Sequence, residues 1–125
     1  MKYLKNKWFQ RDLKHNGLDD EDIKAVLDDI FKGRAIPLGS KLYKIRSARE
    51  GKGKSGGFRS LFFWKQGELI VFCFLVPKNV QDNISPVTHK KLRILSGVYE
   101  ILTKDEINKE IENKNLTEIK YEIRH

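Results

Sequence analysis

Apolar and polar positions change their spacing several times along this chain, and each change marks an element. In the N-terminal "KYLKNKWFQRDLK", KYL (2–4) reads as a short first strand. Asn6 is then placed to cap a helix that turns Trp8, Phe9 and Leu13 inward until the Asn16-Gly17 stop. A second helix follows. Ile23, Val26, Leu27, Ile30 and Phe31 recur at helical intervals, Asp19, Asp20, Glu21 and Asp22 favour its positive N-terminal end, and Gly33 ends it. Two such stripes in succession predict a helical hairpin.

The spacing then shortens to the period of strands. RAIPLGS reads as a loop, KLYKIR (41–46) as a strand, and FRSLFFW (58–64) as its continuation after a glycine-rich interruption. After the KQGE turn, LIVFCFLV (69–76) is apolar on both alternating faces. That pattern marks a central strand covered from both sides, closed by Pro77. Three strands in succession predict an antiparallel meander. Ser85-Pro86 opens a helix whose Leu92, Leu95, Tyr99 and Leu102 form a buried face returning over the sheet. Thr103 with Glu106 makes a capping box for a polar helix through about Lys114, and Ile119, Tyr121 and Ile123 alternate with charges as in an amphipathic strand. The class is α+β: a compact, twisted antiparallel sheet with an N-terminal helical hairpin, a later packing helix and a C-terminal extension. At 125 residues and 39% hydrophobic, the chain is read as one domain, with no internal repeat.

Charge changes the picture. The formal net charge is +8, which points to a polyanionic partner. Most of it is concentrated: residues 41–60 hold seven cations (Lys41, Lys44, Arg46, Arg49, Lys52, Lys54, Arg59) against Glu50 alone. The single Cys73 sits in an apolar run, so an internal disulfide is excluded, and a buried small hydrophobe in a reducing compartment is the simplest reading. The N-terminus has no apolar segment of signal-peptide length, and LIVFCFLVP is too short to cross a bilayer, so the protein is read as cytoplasmic with no membrane partner.

Massed like charge costs stability through self-repulsion, and an anionic ligand removes that cost. Within KIRSAREGKGKSGGFR (44–59), Gly51, Gly53, Gly56 and Gly57 let backbone N–H groups approach a phosphate, Lys52 and Lys54 add point charges, and Arg59 adds a bidentate fork. The segment is not a Walker A loop, because the opening glycine of that motif falls on Ala48. Solvation of a loop is the plain alternative. Against it, Arg46 and Arg59 belong to strands, alternation puts Lys44 and Arg46 on one face, and Lys78 leaves the end of the central strand. His15, His89 and His125 make no metal-ligand pattern, no GxSxG elbow is present, and Asp19–Asp22 and Asp28-Asp29 are most simply solvated helix charge. No metal or cofactor is expected. Metal-free RNA cleavage fits this inventory: the 2′-OH is the internal nucleophile, and the enzyme must orient it, stabilise a dianionic phosphorane and manage two protons. Lysines crowded by cations (Lys52, Lys54, Lys78) suit proton exchange, while Arg46 and Arg59 suit phosphate stabilisation.

KIRSAREGKGKSGGFRSLFFW, followed by FCFLVPKNVQDNIS and preceded by NGLDDEDIKAVLDDIFKG, resembles the RelE/HigB superfamily of bacterial type II toxins, and within it a HigB-like branch marked by KxR-x-A-x-x-G-x-GKSGGYR. Phe58 stands where that pattern commonly has Tyr. The resemblance covers about residues 1–102 as a toxin domain, with 103–125 as a helix–strand extension of the same domain that serves as an edge strand or as a surface for the antitoxin. It implies a RelE-like fold and a ribosome-dependent endoribonuclease that cuts mRNA in the ribosomal A site and is restrained by a cognate antitoxin, often of helix-turn-helix type. It also implies a basic catalytic set of Arg46, Lys54, Arg59 and Lys78, with Lys44, Arg49, Lys52, Ser55 and Phe58 contacting RNA. Asn79 and Asn83 match a further element of the pattern, a turn-forming role being equally consistent. Two alternatives remain open: a ParE-like toxin that binds and inhibits DNA gyrase, and an RNA-binding module without catalysis.

Overall fold

A computed structural model describes residues 1–47, 57–77 and 84–123. The elements in chain order are β1 (Lys2–Asn6), α1 (Lys7–His15), α2 (Asp20–Phe31), β2 (Ile36–Gly39), β3 (Leu42–Ser47), β4 (Phe58–Lys65), β5 (Leu69–Pro77), α3 (Pro86–Ile101), α4 (Lys104–Glu112) and β6 (Leu116–Glu118). The strands form one six-stranded sheet in the order β2-β3-β4-β5-β1-β6.

The helix ends follow from the capping residues. The Asn6 side chain accepts from the Phe9 N–H, Asp19 and Asp22 close a reciprocal box at the start of α2, Ser85 caps α3, and Thr103 with Glu106 closes a second box at α4. Each cap satisfies N–H groups that have no partner within their own helix. Gly17 and Gly33 end α1 and α2 at positive φ, where a side chain would be strained.

β4 and β5 are the centre of the sheet, and both of their faces are buried. On one face the hairpin of α1 and α2 packs Phe9, Leu13, Ile23 and Leu27 against Phe62, Ile70 and Phe72. On the other, α3 and α4 pack Leu92, Tyr99 and Ile107 against Leu61, Phe63, Val71 and Cys73. A register shift between Leu61 and Phe62 sets Phe74 opposite Leu61 and Phe72 opposite Phe62, leaving Cys73 as the extra residue of a bulge. β1 carries the buried Lys5 toward the hairpin side, where its ammonium pairs with Asp20 in the first turn of α2.

Two expectations are corrected here. RAIPLGS is not simply a loop: Ile36–Gly39 pairs antiparallel with β3 as an edge strand, a position that tolerates Pro37 because one side of an edge strand needs no ladder bond. The sheet is also not wholly antiparallel, since β1 runs parallel to β5 with Leu4 opposite Val71. Among the described residues of the C-terminal alternation, only Leu116–Glu118 is strand, pairing antiparallel with β1. Beyond it Ile119 is buried, and Tyr121 stacks on Phe31 while its hydroxyl donates to Asp28 at 2.6 Å, tying the C-terminus to α2.

Two outcomes follow from this packing. Gly97 lies inside α3, exposed, with open space where a Cβ would stand. Gly97→Ala therefore raises stability by about 1 kcal/mol, read as a higher urea midpoint at constant slope. Burial pushes the Cys73 thiol up to about 12. Because the folded value is the higher one, this contribution is fully present below the ordinary thiol pKa and is lost as pH climbs toward 12. The urea midpoint should thus fall above about pH 9, and fall less in Cys73→Ala.

Candidate functional site

β3 is the amphipathic strand of the sheet. Tyr43 and Ile45 join the hairpin-side core, whereas Leu42 joins the α3-side core and its strand-mates Lys44 and Arg46 on that same face are exposed. β3 pairs antiparallel with β4 from Leu42↔Phe63 to Ser47↔Phe58, which sets Arg46 directly opposite Arg59 and Lys44 opposite Leu61. In an antiparallel pair, residues directly opposite have Cβ atoms about 4.5–5.5 Å apart. Both arginines therefore rise from the α3 side of the sheet as close neighbours. Arg46 is exposed and Arg59 half-buried, with the buried Val76 of β5 as its other cross-strand neighbour. The apolar stem of Arg59 thus lies beside a core residue of the neighbouring strand.

The same strands are locked together on the reverse face. Tyr43 stacks on Phe62 with ring centroids 5.7 Å apart and tilts against Trp64 at 5.3 Å. The aromatic lock holds the register that pairs the arginines.

Ser47, Phe58 and Pro77 are cross-strand neighbours at one end of the sheet, and the arginine pair lies one residue in from that end. The segments beginning after Ser47 and after Pro77 are both tethered there. Of the residues expected at the site, Arg46, Arg59 and Lys44 are brought to one face. Arg49, Lys52, Lys54, Ser55, Lys78, Asn79 and Asn83 lie outside the described residues, as do Gly51, Gly53 and Gly56. The Phe58 side chain is buried, 4% exposed, in the hairpin-side core, on the face opposite Arg59. Its ring packs there as part of the scaffold. Among the described residues no group of three or more His, Cys, Asp or Glu could hold a metal ion, and no helix is long and apolar enough to cross a membrane.

The periodicity of α3 shows its inward face and passes over a second basic surface. His89, Lys90 and Arg93, with Ile84 and Pro86, line a hollow of about 450 Å³. Ile84 packs on the α3-side core that also contains Val76, the neighbour of Arg59. The signal in the sequence was THKKLR, four titratable nitrogen side chains in six positions.

The small α+β scaffold thus sets two arginines on one sheet face, at the root of a strongly basic segment, and a cationic surface of this kind attracts polyanions. The family follows from comparison: the model described as "RelE toxin of RelE / RelB toxin-antitoxin system" matches residues 1–119, and the chain belongs to that family. The match spans β1 through β6, with α4 included. As a toxin of a toxin–antitoxin system it has an antitoxin for a partner. No individual curated protein matches the chain.

The burial of Phe58 has a measurable consequence. Phe58→Ala should cost about 3–5 kcal/mol of stability, as expected for truncating a core aromatic, and Phe58→Leu much less. Toxicity in Phe58→Leu should survive in proportion to the folded fraction seen by circular dichroism. A folded Phe58→Leu without activity would instead assign the ring to the substrate.

Proposed function

We propose that this RelE-family toxin is a metal-independent endoribonuclease that cuts mRNA in the ribosomal A site and so stops translation. The observation that supports this most is the Arg46–Arg59 cross-strand pair, set one residue in from the sheet end to which the basic segment is tethered. Two guanidinium forks on one face suit a phosphorane, whose charge rises by one unit as the 2′-OH attacks.

The chemistry balances within the RNA. The bond from the 2′-oxygen to phosphorus forms as the bond from phosphorus to the 5′-oxygen breaks. The 2′-hydroxyl gives up its proton, the leaving 5′-oxygen gains one, and the upstream fragment ends in a 2′,3′-cyclic phosphate. In this reading Arg46 and Arg59 stabilise the phosphorane, Lys54 with Lys78 supplies the proton transfers, and Lys44, Arg49, Lys52 and Ser55 hold the flanking backbone. DNA has no 2′-hydroxyl and is excluded as a substrate of this mechanism.

The test is expression in a translating extract with primer extension on a reporter mRNA. Wild type should give cuts in register with codons. Arg59→Ala and Arg46→Ala should each reduce cutting by about 10²-fold or more, the usual effect of losing one transition-state contact. Intact mRNA with a supercoiling defect would overturn the reading in favour of a gyrase-directed toxin. Salt-sensitive RNA binding without a cleaved product would leave only a binding module.

A further inference from the structure

The outward side of α3 carries an apolar stripe that nothing among the described residues covers. Val87, Ile94, Val98 and Ile101 are 63%, 61%, 43% and 77% exposed, and they supply four of the seven exposed large hydrophobics among the described residues. Their spacing of seven, four and three residues puts them on one side of the helix, opposite the buried Leu92, Ser96 and Tyr99. Gly97 lies within this stripe, exposed and with open space around it. Each of these choices is poor for a free surface helix. β-branched residues and glycine are weaker helix formers than Ala or Glu, and exposed apolar side chains gain nothing from water. A glycine there does allow another backbone to come close.

The stripe does not end with α3. Ile101 also lines a groove of about 560 Å³ at the junction with α4, together with Met1, Leu102 and Ile107. Beside the stripe stand the exposed Lys90 and Lys91, in the N-terminal half of α3, where the helix dipole gives cations no support. The only carboxylate on α3 is Glu100, at the far end of the helix, where it pairs with Lys41 and lines the groove together with Glu68, Lys2, Lys65 and Lys104. The docking face is therefore apolar along its centre and purely cationic at one end. A second copy of a chain with net charge +8 is a poor fit to it, and an acidic amphipathic helix is a good one.

We propose that the outward face of α3, running into the groove at Ile101, docks an amphipathic helix of the antitoxin, with apolar side chains along Val87, Ile94, Val98 and Ile101 and carboxylates beside Lys90 and Lys91. The proposal rests on the toxin–antitoxin placement of the family and is independent of the nuclease reading.

The probe is a fluorescein-labelled helical peptide of about 18 residues with leucines at heptad a and d positions and glutamates on both flanks, compared with the same peptide carrying lysines on the flanks. Fluorescence polarisation should show the acidic peptide binding the full-length wild type. Ile94→Asp should weaken it by at least about 10-fold, as for a central interface anchor. Combined Lys90→Glu and Lys91→Glu should weaken the acidic peptide and improve binding of the lysine-flanked one. Ile94→Asp should keep the wild-type circular dichroism spectrum, its site being solvent-facing, and should leave mRNA cutting in the extract unchanged. Equal binding to all variants, or no binding to wild type, overturns the proposal. So does sedimentation showing a wild-type dimer that Ile94→Asp dissolves, since the occupant would then be a second copy. Loss of mRNA cutting in Arg59→Ala with peptide binding intact would separate the two readings cleanly.

Discussion

The register between β3 and β4 is the constraint on which the site depends. Side chains alternate across a strand, so a slip of one residue would turn Arg46 into the hairpin-side core and lift Ile45 onto the opposite face. Moving a charged guanidinium into an apolar core costs several kcal/mol, and exposing Ile45 forfeits about 1.5–3 kcal/mol of burial. β4 alone could not set this register, because Leu61, Phe62 and Phe63 are apolar on both of its faces. The decision falls to β3, whose Tyr43 and Ile45 differ sharply in polarity from Lys44 and Arg46. Tyr43 stacked on Phe62 then fixes the choice.

From that register the arrangement of layers follows. A central pair of strands buried on both faces needs helices on both sides, and the chain supplies them in two ways. α1 and α2 arrive before the meander and cover one side; α3 and α4 arrive after it and cover the other. β1 is threaded beside β5 in parallel, and β6 closes its open edge, so the two ends of the chain meet at the same sheet margin. Lys5 with Asp20 and Tyr121 with Asp28 then tie that margin to the start and the middle of α2. The opposite part of the sheet, at Ser47, Phe58 and Pro77, is left for the basic segment.

Most elements were legible because each had a local signature. The caps at Asn6, Ser85 and Thr103, the acidic start of α2 at Asp19–Asp22, and the two-sided apolar run of β5 report structure within a few residues of themselves. β2 was not legible, since Pro37 and Gly39 mark a turn in isolation and only the neighbouring β3 makes them an edge strand. The parallel pairing of β1 escaped for a similar reason: three residues of sequence carry no information about which partner they meet. At the site, alternation correctly joined Lys44 to Arg46, and the cross-strand approach of Arg59 needed the register. Phe58 was joined to the RNA-contacting set by the resemblance, whereas strand neighbours point to opposite faces, and its ring lies in the hairpin-side core while Arg59 rises from the other side. The outward stripe of α3 was hidden by its own inward stripe, as Leu92 and Tyr99 generate the same period as Ile94, Val98 and Ile101.

The two surfaces that the fold leaves exposed are unfavourable in different ways, and this shapes how the free toxin responds to its surroundings. Like charges facing each other across a strand pair repel. Salt can relieve them, since exposed charges are screened over about 8–10 Å at physiological strength, and so can a phosphate lodged between them. The apolar stripe on α3 gains nothing from phosphate, and salts that strengthen apolar association make its exposure more costly. An anionic ligand thus answers only the first surface, whereas a partner that is both acidic and amphipathic answers the second. With net charge +8, long-range attraction would draw either toward the protein from solution, but contact chemistry decides where each comes to rest.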